Sequence, residues 1–120
     1  MGDLSKNFSR KEVACKCCGR IKDNALFREG IAKLQKLREL VGQPLIVNSG
    51  YRCSVHNEKV GGAKKSKHME GHAFDITIPK GMTASEFGAL ARKVGFKGIG
   101  YYPKQRFVHM DLGAARTWNG

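Results

Sequence analysis

The sequence contains no long apolar run, which excludes a membrane-spanning helix. Residues 1–12 are polar and hold no apolar stretch of signal-peptide length, so we expect synthesis in a cytoplasm without a signal peptide. Internal repeats and linker-like segments are also absent from the sequence. A chain of 120 residues without either is expected to form a single domain over 1–120 with a core of its own.

Acidic residues are scarce. The chain has 10 Asp and Glu against 22 Lys and Arg, which gives a formal net charge of +12. Such a charge favours a polyanionic partner, whether nucleic acid, an anionic membrane surface or an anionic cell wall. The sequence lacks the aromatic platform or recognition helix that nucleic-acid-binding modules use, so we expect no nucleic acid among its partners. We also expect the chain to be a monomer.

Helical periodicity marks two segments. Apolar residues recur at helical spacing after Asp23 or Asn24, either of which fits a helix cap, and before Gly42, which fits the position just past a helix end. The second helix is predicted to begin at Thr83, because this residue and Glu86 have the spacing of a capping box.

Other stretches predict strands. Residues 45–47 form a short apolar run typical of a buried strand, and residues 73–78 alternate between apolar and polar side chains. Residues 99–102 and 106–112 are predicted to form a hairpin. Helices and strands in one compact chain predict an α+β fold with a small antiparallel sheet and helices packed on one side.

Two histidines and one aspartate form a candidate metal site. His68, Asp75 and His109 are ligand types that suit a zinc ion with one open position, and an open position implies chemistry on water or a carbonyl. Strand alternation puts Asp75 on the polar face of its strand and His109 on the same face as Asp111. If the two strands are neighbours, Asp75 and His109 converge. The competing interpretation is three unrelated polar residues, with His109 a hydrogen-bonded core histidine.

The spacing of this motif resembles a known family. The pattern Ser66, His68, Gly71, Ala73, Asp75 and later His109 is similar to the zinc D-Ala-D-Ala carboxypeptidase family of peptidoglycan metallopeptidases, which shares its fold with the hedgehog signalling domain. Further matching stretches lie at 49–52, at Asn57 with 61–62, at 98–102 and at 107–111, so the resemblance runs over nearly the whole chain.

The resemblance implies a Zn²⁺-dependent peptidase, similar to phage lysins, that acts at the bacterial cell wall or periplasm. Members cut a terminal D-Ala-D-Ala bond or a bond within a stem or cross-link peptide by means of a metal-activated water. Two alternatives remain open. One is a catalytically inactive zinc domain with a structural or wall-binding role, and the other is a basic nucleic-acid-binding zinc module.

The resemblance also implies roles for individual residues. Arg52 matches the family arginine expected near the substrate carbonyl or terminal carboxylate. Several relatives place an acid three positions before the second histidine, where this chain has Arg106, which cannot accept a proton. Asp111 is the best substitute as catalytic base, and its competing role is to hold a histidine ring in the right tautomer. Glu70 and His72 are further candidates.

Aromatic residues near the chain end have two interpretations. Tyr101, Tyr102 and Trp118 either line a substrate groove or pack in the core and hairpin.

The four cysteines are clustered unevenly. Cys15 and Cys18 have the spacing of a zinc knuckle, as do Cys53 and His56. A second, structural zinc held by these four residues is therefore a hypothesis. A disulfide and free buried thiols are the alternatives.

Overall fold

The computed structural model describes residues 4, 8, 13–15, 19, 21, 24–51, 73–113 and 115–119. Along these residues run two helices and five strands, in the order α1 (Ala25–Val41), β1 (Val47–Ser49), β2 (Ala73–Thr77), α2 (Ala84–Val94), β3 (Gly98–Tyr102), β4 (Phe107–Asp111) and β5 (Arg116–Asn119). The α+β class predicted from the sequence is confirmed. Neither described helix has the length and apolar character needed to cross a membrane.

Local capping chemistry explains where both helices begin. The side-chain oxygen of Asn24 accepts a hydrogen bond from the backbone N–H of Phe27 at 2.8 Å, and α1 ends at Gly42 with φ of 75°. At the start of α2, the Thr83 hydroxyl accepts the Glu86 N–H at 3.1 Å, and the Glu86 carboxylate accepts the Thr83 N–H at 2.9 Å. Both predicted helices are confirmed. Of the two candidate caps for α1, Asp23 and Asn24, the structure uses Asn24.

The five strands form one sheet in the order β1-β2-β4-β3-β5. The predicted hairpin of β3 and β4 is confirmed, and β2 lies beside β4. Neighbouring strands are antiparallel except β3 and β5, which are parallel. The prediction of an antiparallel sheet is corrected to this extent. Strand β5 was not predicted, because its mostly exposed residues at the sheet edge show no apolar alternation.

The first strand also differs from its prediction. Residues 45–47 were expected to be a buried strand, whereas β1 begins only at Val47 and Ile46 is 63% exposed. Leu45 does reach the core, at 6% exposure. The reason is that a short apolar run contains no alternation to define its register. Pairing with β2, which sets Val47 opposite Ile76, decides which residues are in the strand.

Strand alternation separates an apolar face of the sheet from a polar one. On β4, Val108 and Met110 are fully buried and belong to the core shared with the helices. Burying one such side chain contributes about 1.5–3 kcal/mol, so this face anchors the sheet against the helices. The main members of the shared core are Phe27, Leu34, Phe74, Ile76, Phe87, Ile99, Val108 and Met110. The opposite face of the sheet carries the candidate site.

Candidate metal centre

Asp75 and His109 face each other on neighbouring strands. The register of β2 and β4 sets them directly opposite, and Oδ1 of Asp75 lies 2.9 Å from Nδ1 of His109. Each residue follows an apolar neighbour whose side chain points into the core, so pleating turns both polar side chains to the other face. The predicted convergence of Asp75 and His109 is therefore confirmed. Their role as metal ligands stays a prediction.

The second ring nitrogen of His109 contacts a different carboxylate. Nε2 lies 2.6 Å from Oδ2 of Asp111, two residues further along the same strand face. His109 is only 8% exposed, and Asp111 is completely buried. The imidazole is therefore held at both of its nitrogens, with Asp75 on one side and Asp111 on the other.

Asp111 is itself held by several donors. In the Arg116 guanidinium, Nη1 donates a hydrogen bond to Oδ1 of Asp111 at 3.0 Å, and Nη2 donates one to Oδ2 at 2.7 Å. The backbone N–H of Gly113 donates to Oδ1 at 2.9 Å. A bidentate arginine of this kind fixes the plane of the carboxylate as well as its charge.

These contacts determine the protonation of the site. Burial would raise the pKa of Asp111, but the hydrogen bonds from His109, Arg116 and Gly113 outweigh burial and hold that pKa well below its ordinary value. Burial likewise would lower the pKa of His109, and the hydrogen bonds to Asp111 and Asp75 reverse this and raise the pKa. Because an ionised carboxylate only accepts hydrogen bonds, a proton on Nε2 is donated to Asp111 and a proton on Nδ1 to Asp75, and both contacts favour the charged ring when no metal is bound.

This arrangement fits a metal ligand. Histidines that bind metals commonly donate their other ring N–H to a carboxylate, which fixes the tautomer and the ring orientation. Here Asp111 engages Nε2, so Nδ1 is the nitrogen that faces Asp75. An imidazole nitrogen and a carboxylate oxygen that meet at 2.9 Å are donors that zinc accepts.

The third predicted ligand, His68, lies outside the described residues. The other candidate site residues Arg52, Glu70 and His72 lie outside them as well. Within the described ranges, no group of three His, Cys, Asp or Glu side chains is arranged to hold a metal ion. The three-ligand zinc site therefore stays a prediction, supported for two of its members by their geometry.

Arg106, at the position where the family resemblance implies an acid, lies within the described residues. Arg106 is exposed in the turn between β3 and β4, with φ of 62°, and its backbone N–H donates to the carbonyl of Pro103 at 3.2 Å. Its carbonyl accepts the N–H of Ile78 at 2.9 Å, which ties the turn to the end of β2. The position thus has a structural role in the turn, and its side chain carries no proton-accepting group.

Of the cysteine cluster, Cys15 is described and is 1% exposed. Cys18, Cys53 and His56 lie outside the described residues. The structural zinc therefore stays a hypothesis.

Two residues that flank the site were missed or left undecided by sequence reasoning. Arg116 was not singled out at all, and Trp118 was left between groove and core. The Trp118 ring lies 5.1 Å from the His109 ring, centre to centre, and its indole N–H donates to the Tyr102 hydroxyl at 2.7 Å. Tyr101, in contrast, packs on the core side of the sheet.

A sequence signal for these residues exists in β3. Gly98 and Gly100 alternate on the same face as His109, so this strand has no side chain at the two positions beside the site. Neighbouring strands then have space to bring their side chains together across it.

Comparison with known proteins places the sequence in a family. The profile of the peptidase M15 family matches residues 6–111. The peptidoglycan L,D-endopeptidase MepK of Escherichia coli K12 is 39% identical over 93 residues, which is 72% of this chain and 50% of that protein. The zinc D-Ala-D-Ala carboxypeptidase of Streptomyces albus G is 39% identical over 94 residues, 72% of this chain and 35% of that protein.

A further relative, the probable peptidoglycan L,D-endopeptidase MepK of Haemophilus influenzae, is 37% identical over 76 residues. The chain spans half or less of the length of these curated relatives. Asp75, His109 and Asp111 all fall within the stretch that the family profile matches. A match over most of the sequence, containing the paired residues of the site, shows that the chain belongs to the peptidase M15 family.

Proposed function

We propose that this chain is a zinc-dependent peptidase that hydrolyses peptide bonds in bacterial peptidoglycan. Membership of the peptidase M15 family supports the reaction class. The similar proteins named as peptidoglycan endopeptidases and as a zinc carboxypeptidase support the substrate and the metal. The observation that carries the proposal is the distance of 2.9 Å between Oδ1 of Asp75 and Nδ1 of His109. The second ring nitrogen, Nε2, is hydrogen-bonded to Asp111.

In this proposal His68, Asp75 and His109 hold the zinc ion. When bound, zinc lowers the pKa of a water molecule towards about 7 and polarises the scissile carbonyl. His109 binds through Nδ1 as a neutral ring, because Asp111 holds the proton of Nε2. Asp75 contributes a negative charge that offsets part of the charge of the metal.

Arg52 is proposed to bind the substrate. A guanidinium is always charged and presents paired donors, which suits a peptide carbonyl or a terminal carboxylate. Arg52→Ala is therefore expected to retain its zinc and lose turnover. Turnover equal to that of the wild type would remove Arg52 from the site.

The proposed role of Asp111 is support rather than proton transfer. Its side chain is completely buried and accepts bonds from His109, Arg116 and Gly113. A pKa held far below its ordinary value makes it a weak base. Since Arg106 cannot accept a proton either, we propose Glu70 or His72 as the catalytic base; both lie between His68 and Asp75 in the sequence.

The net charge of +12 is consistent with a wall substrate, since many cell walls carry anionic polymers. We propose that the protein acts at the cell wall or periplasm. An origin among phage lysins, the absence of a nucleic-acid partner and a monomeric state stay predictions from the sequence.

One observation favours a second function. Arg106 stands at the position where the family resemblance implies an acid, so a zinc domain without catalysis is the alternative. Zinc content does not distinguish the two functions, because the protein binds the metal in both. Turnover of a peptidoglycan substrate distinguishes them.

The test is digestion of purified peptidoglycan with and without a chelator, followed by mass spectrometry of the products. New peptide termini that appear only without the chelator, and not with His109→Ala, are the expected result. The identity of those termini distinguishes a D,D-carboxypeptidase from an endopeptidase. Zinc-loaded protein that leaves all stem and cross-link peptides intact would contradict the proposal, and salt-sensitive DNA binding without turnover would favour a nucleic-acid module.

A further inference from the structure

The edge strand β5 reaches the candidate site across a strand with no side chains in the way. Gly98 lies between Asp111 on β4 and Arg116 on β5 in the strand registers. A Cβ added to Gly98 would collide with the Asp111 carboxylate and with Nη1 of Arg116. The missing side chain at Gly98 is therefore what lets this arginine and this carboxylate meet above β3.

The same arrangement repeats two residues later. Gly100 lies between His109 on β4 and Trp118 on β5. A Cβ added to Gly100 would collide with the indole of Trp118, so the indole lies directly over this glycine. Both glycines thus give space to a contact between β4 and β5.

The two contacts constrain different parts of the His109 ring. Arg116 fixes the Asp111 carboxylate with two hydrogen bonds, and that carboxylate contacts Nε2 at the ring edge. Trp118 packs beside the ring, with an angle of 49° between the two planes. The indole is itself anchored by the Tyr102 hydroxyl and by the Arg116 guanidinium, which lies 4.8 Å from the indole centre.

We propose that Arg116 and Trp118 are positioning residues that act through Asp111 and by direct packing to hold His109 with Nδ1 towards Asp75. The inference rests on the proposed function, since it assigns His109 to metal binding. Both residues lie beyond residues 6–111, the stretch that the family profile matches. Trp118 contacts the His109 ring directly and Arg116 reaches it through Asp111, so their effect is on the orientation of that ring.

The first test compares Arg116→Ala with Arg116→Lys and with Arg92→Ala. Arg92 is the matched control, because it also binds β5, where it donates to the hydroxyl of Thr117 at 2.6 Å, and Thr117 lies between the two positions that face the site. Long-range ¹H–¹⁵N NMR of the metal-free protein, at a pH where the ring is neutral, shows which nitrogen of His109 carries the proton. Competition with a chelating dye gives the zinc affinity.

In the wild type and in Arg92→Ala we expect the proton on Nε2 and equal zinc affinity. In Arg116→Ala we expect a mixture of the two tautomers and a loss of zinc affinity of about 10- to 100-fold, as for other groups that orient metal-binding histidines. Arg116→Lys keeps the charge but not the paired donors, so an intermediate loss is expected. Folding is checked by the amide spectrum, and if Arg116→Ala does not fold, Arg116→Lys decides the test alone.

The second test concerns Trp118. Trp118→Ala removes the packing beside the ring, and Tyr102→Phe removes only the hydroxyl that accepts the indole N–H. We expect a larger loss of zinc affinity in Trp118→Ala than in Tyr102→Phe, with kcat reduced more than KM is raised. Wild-type zinc affinity and an unchanged ring proton in the folded Arg116 and Trp118 variants would overturn the inference.

The readouts separate this inference from the proposed function. If the wild type shows the expected ring tautomer and binds zinc but leaves muropeptides intact, the proposed function fails and the positioning role stands. If the wild type cleaves muropeptides while the Arg116 variants bind zinc normally, the positioning role fails and the proposed function stands.

Discussion

His109 lies between two carboxylates that differ in burial and in what else they contact. Asp75 retains 17% exposure of its side chain, whereas the side chain of Asp111 has none. Asp111 also accepts two hydrogen bonds from the Arg116 guanidinium, so its loss removes a buried ion pair, while Asp75 faces the proposed metal. The two carboxylates are therefore expected to differ in what their removal costs.

At the residue scale, this difference predicts that two matched substitutions act on different properties. One lowers the stability of the metal-free protein, and the other abolishes zinc binding. Asp111→Asn is expected to lower the free energy of unfolding by about 1–3 kcal/mol, because it weakens buried hydrogen bonds to charged groups. Asp75→Asn is expected to change stability by less than Asp111→Asn and to lose zinc binding. Denaturant unfolding and dye competition measure the two effects. Equal stability losses would show that the two carboxylates are not divided in this way.

At the element scale, the sequence predicts those features of the fold that depend on neighbouring residues alone. The caps of α1 and α2 and the alternation of β2 and β4 are such cases. The alternation predicts that Asp75 and His109 converge only if β2 and β4 are neighbours, and the pairing of these two strands meets that condition. Strand β5 and the start of β1 could not be predicted, because both depend on pairing with distant residues at sheet edges. The same reason explains why Arg116 was not singled out and why Trp118 was left undecided between groove and core.

Strand β5 also supplies an optical probe, since the sequence contains one tryptophan. Trp118 lies beside the His109 ring, so we expect zinc binding to change its fluorescence emission. His109→Ala should abolish this response. Thr83→Ala, which removes the cap of α2 at a cost of about 1 kcal/mol, should leave it intact. A zinc response that persists in His109→Ala would place the metal elsewhere.

At the scale of the whole molecule, the net charge of +12 follows directly from the sequence and predicts attraction to anionic cell walls. Screening shortens the reach of such a charge to about 8 Å at physiological ionic strength. We expect added salt to release the protein from insoluble cell walls while cleavage of a small soluble muropeptide changes little. Walls stripped of their anionic polymers are the matched control. Equal retention on stripped and intact walls would assign wall binding to something other than charge.

The proposed activity depends on a zinc ion at Asp75 and His109, with His68 as the third ligand. The most direct measurement is a zinc titration of the metal-free protein while the cleavage of a defined muropeptide is followed. We predict no cleavage before zinc is added, full recovery in the wild type, and none in Asp75→Ala or His109→Ala at matched zinc concentrations. Cleavage by the metal-free protein, or recovery of either variant to the wild-type rate, would contradict the central claim.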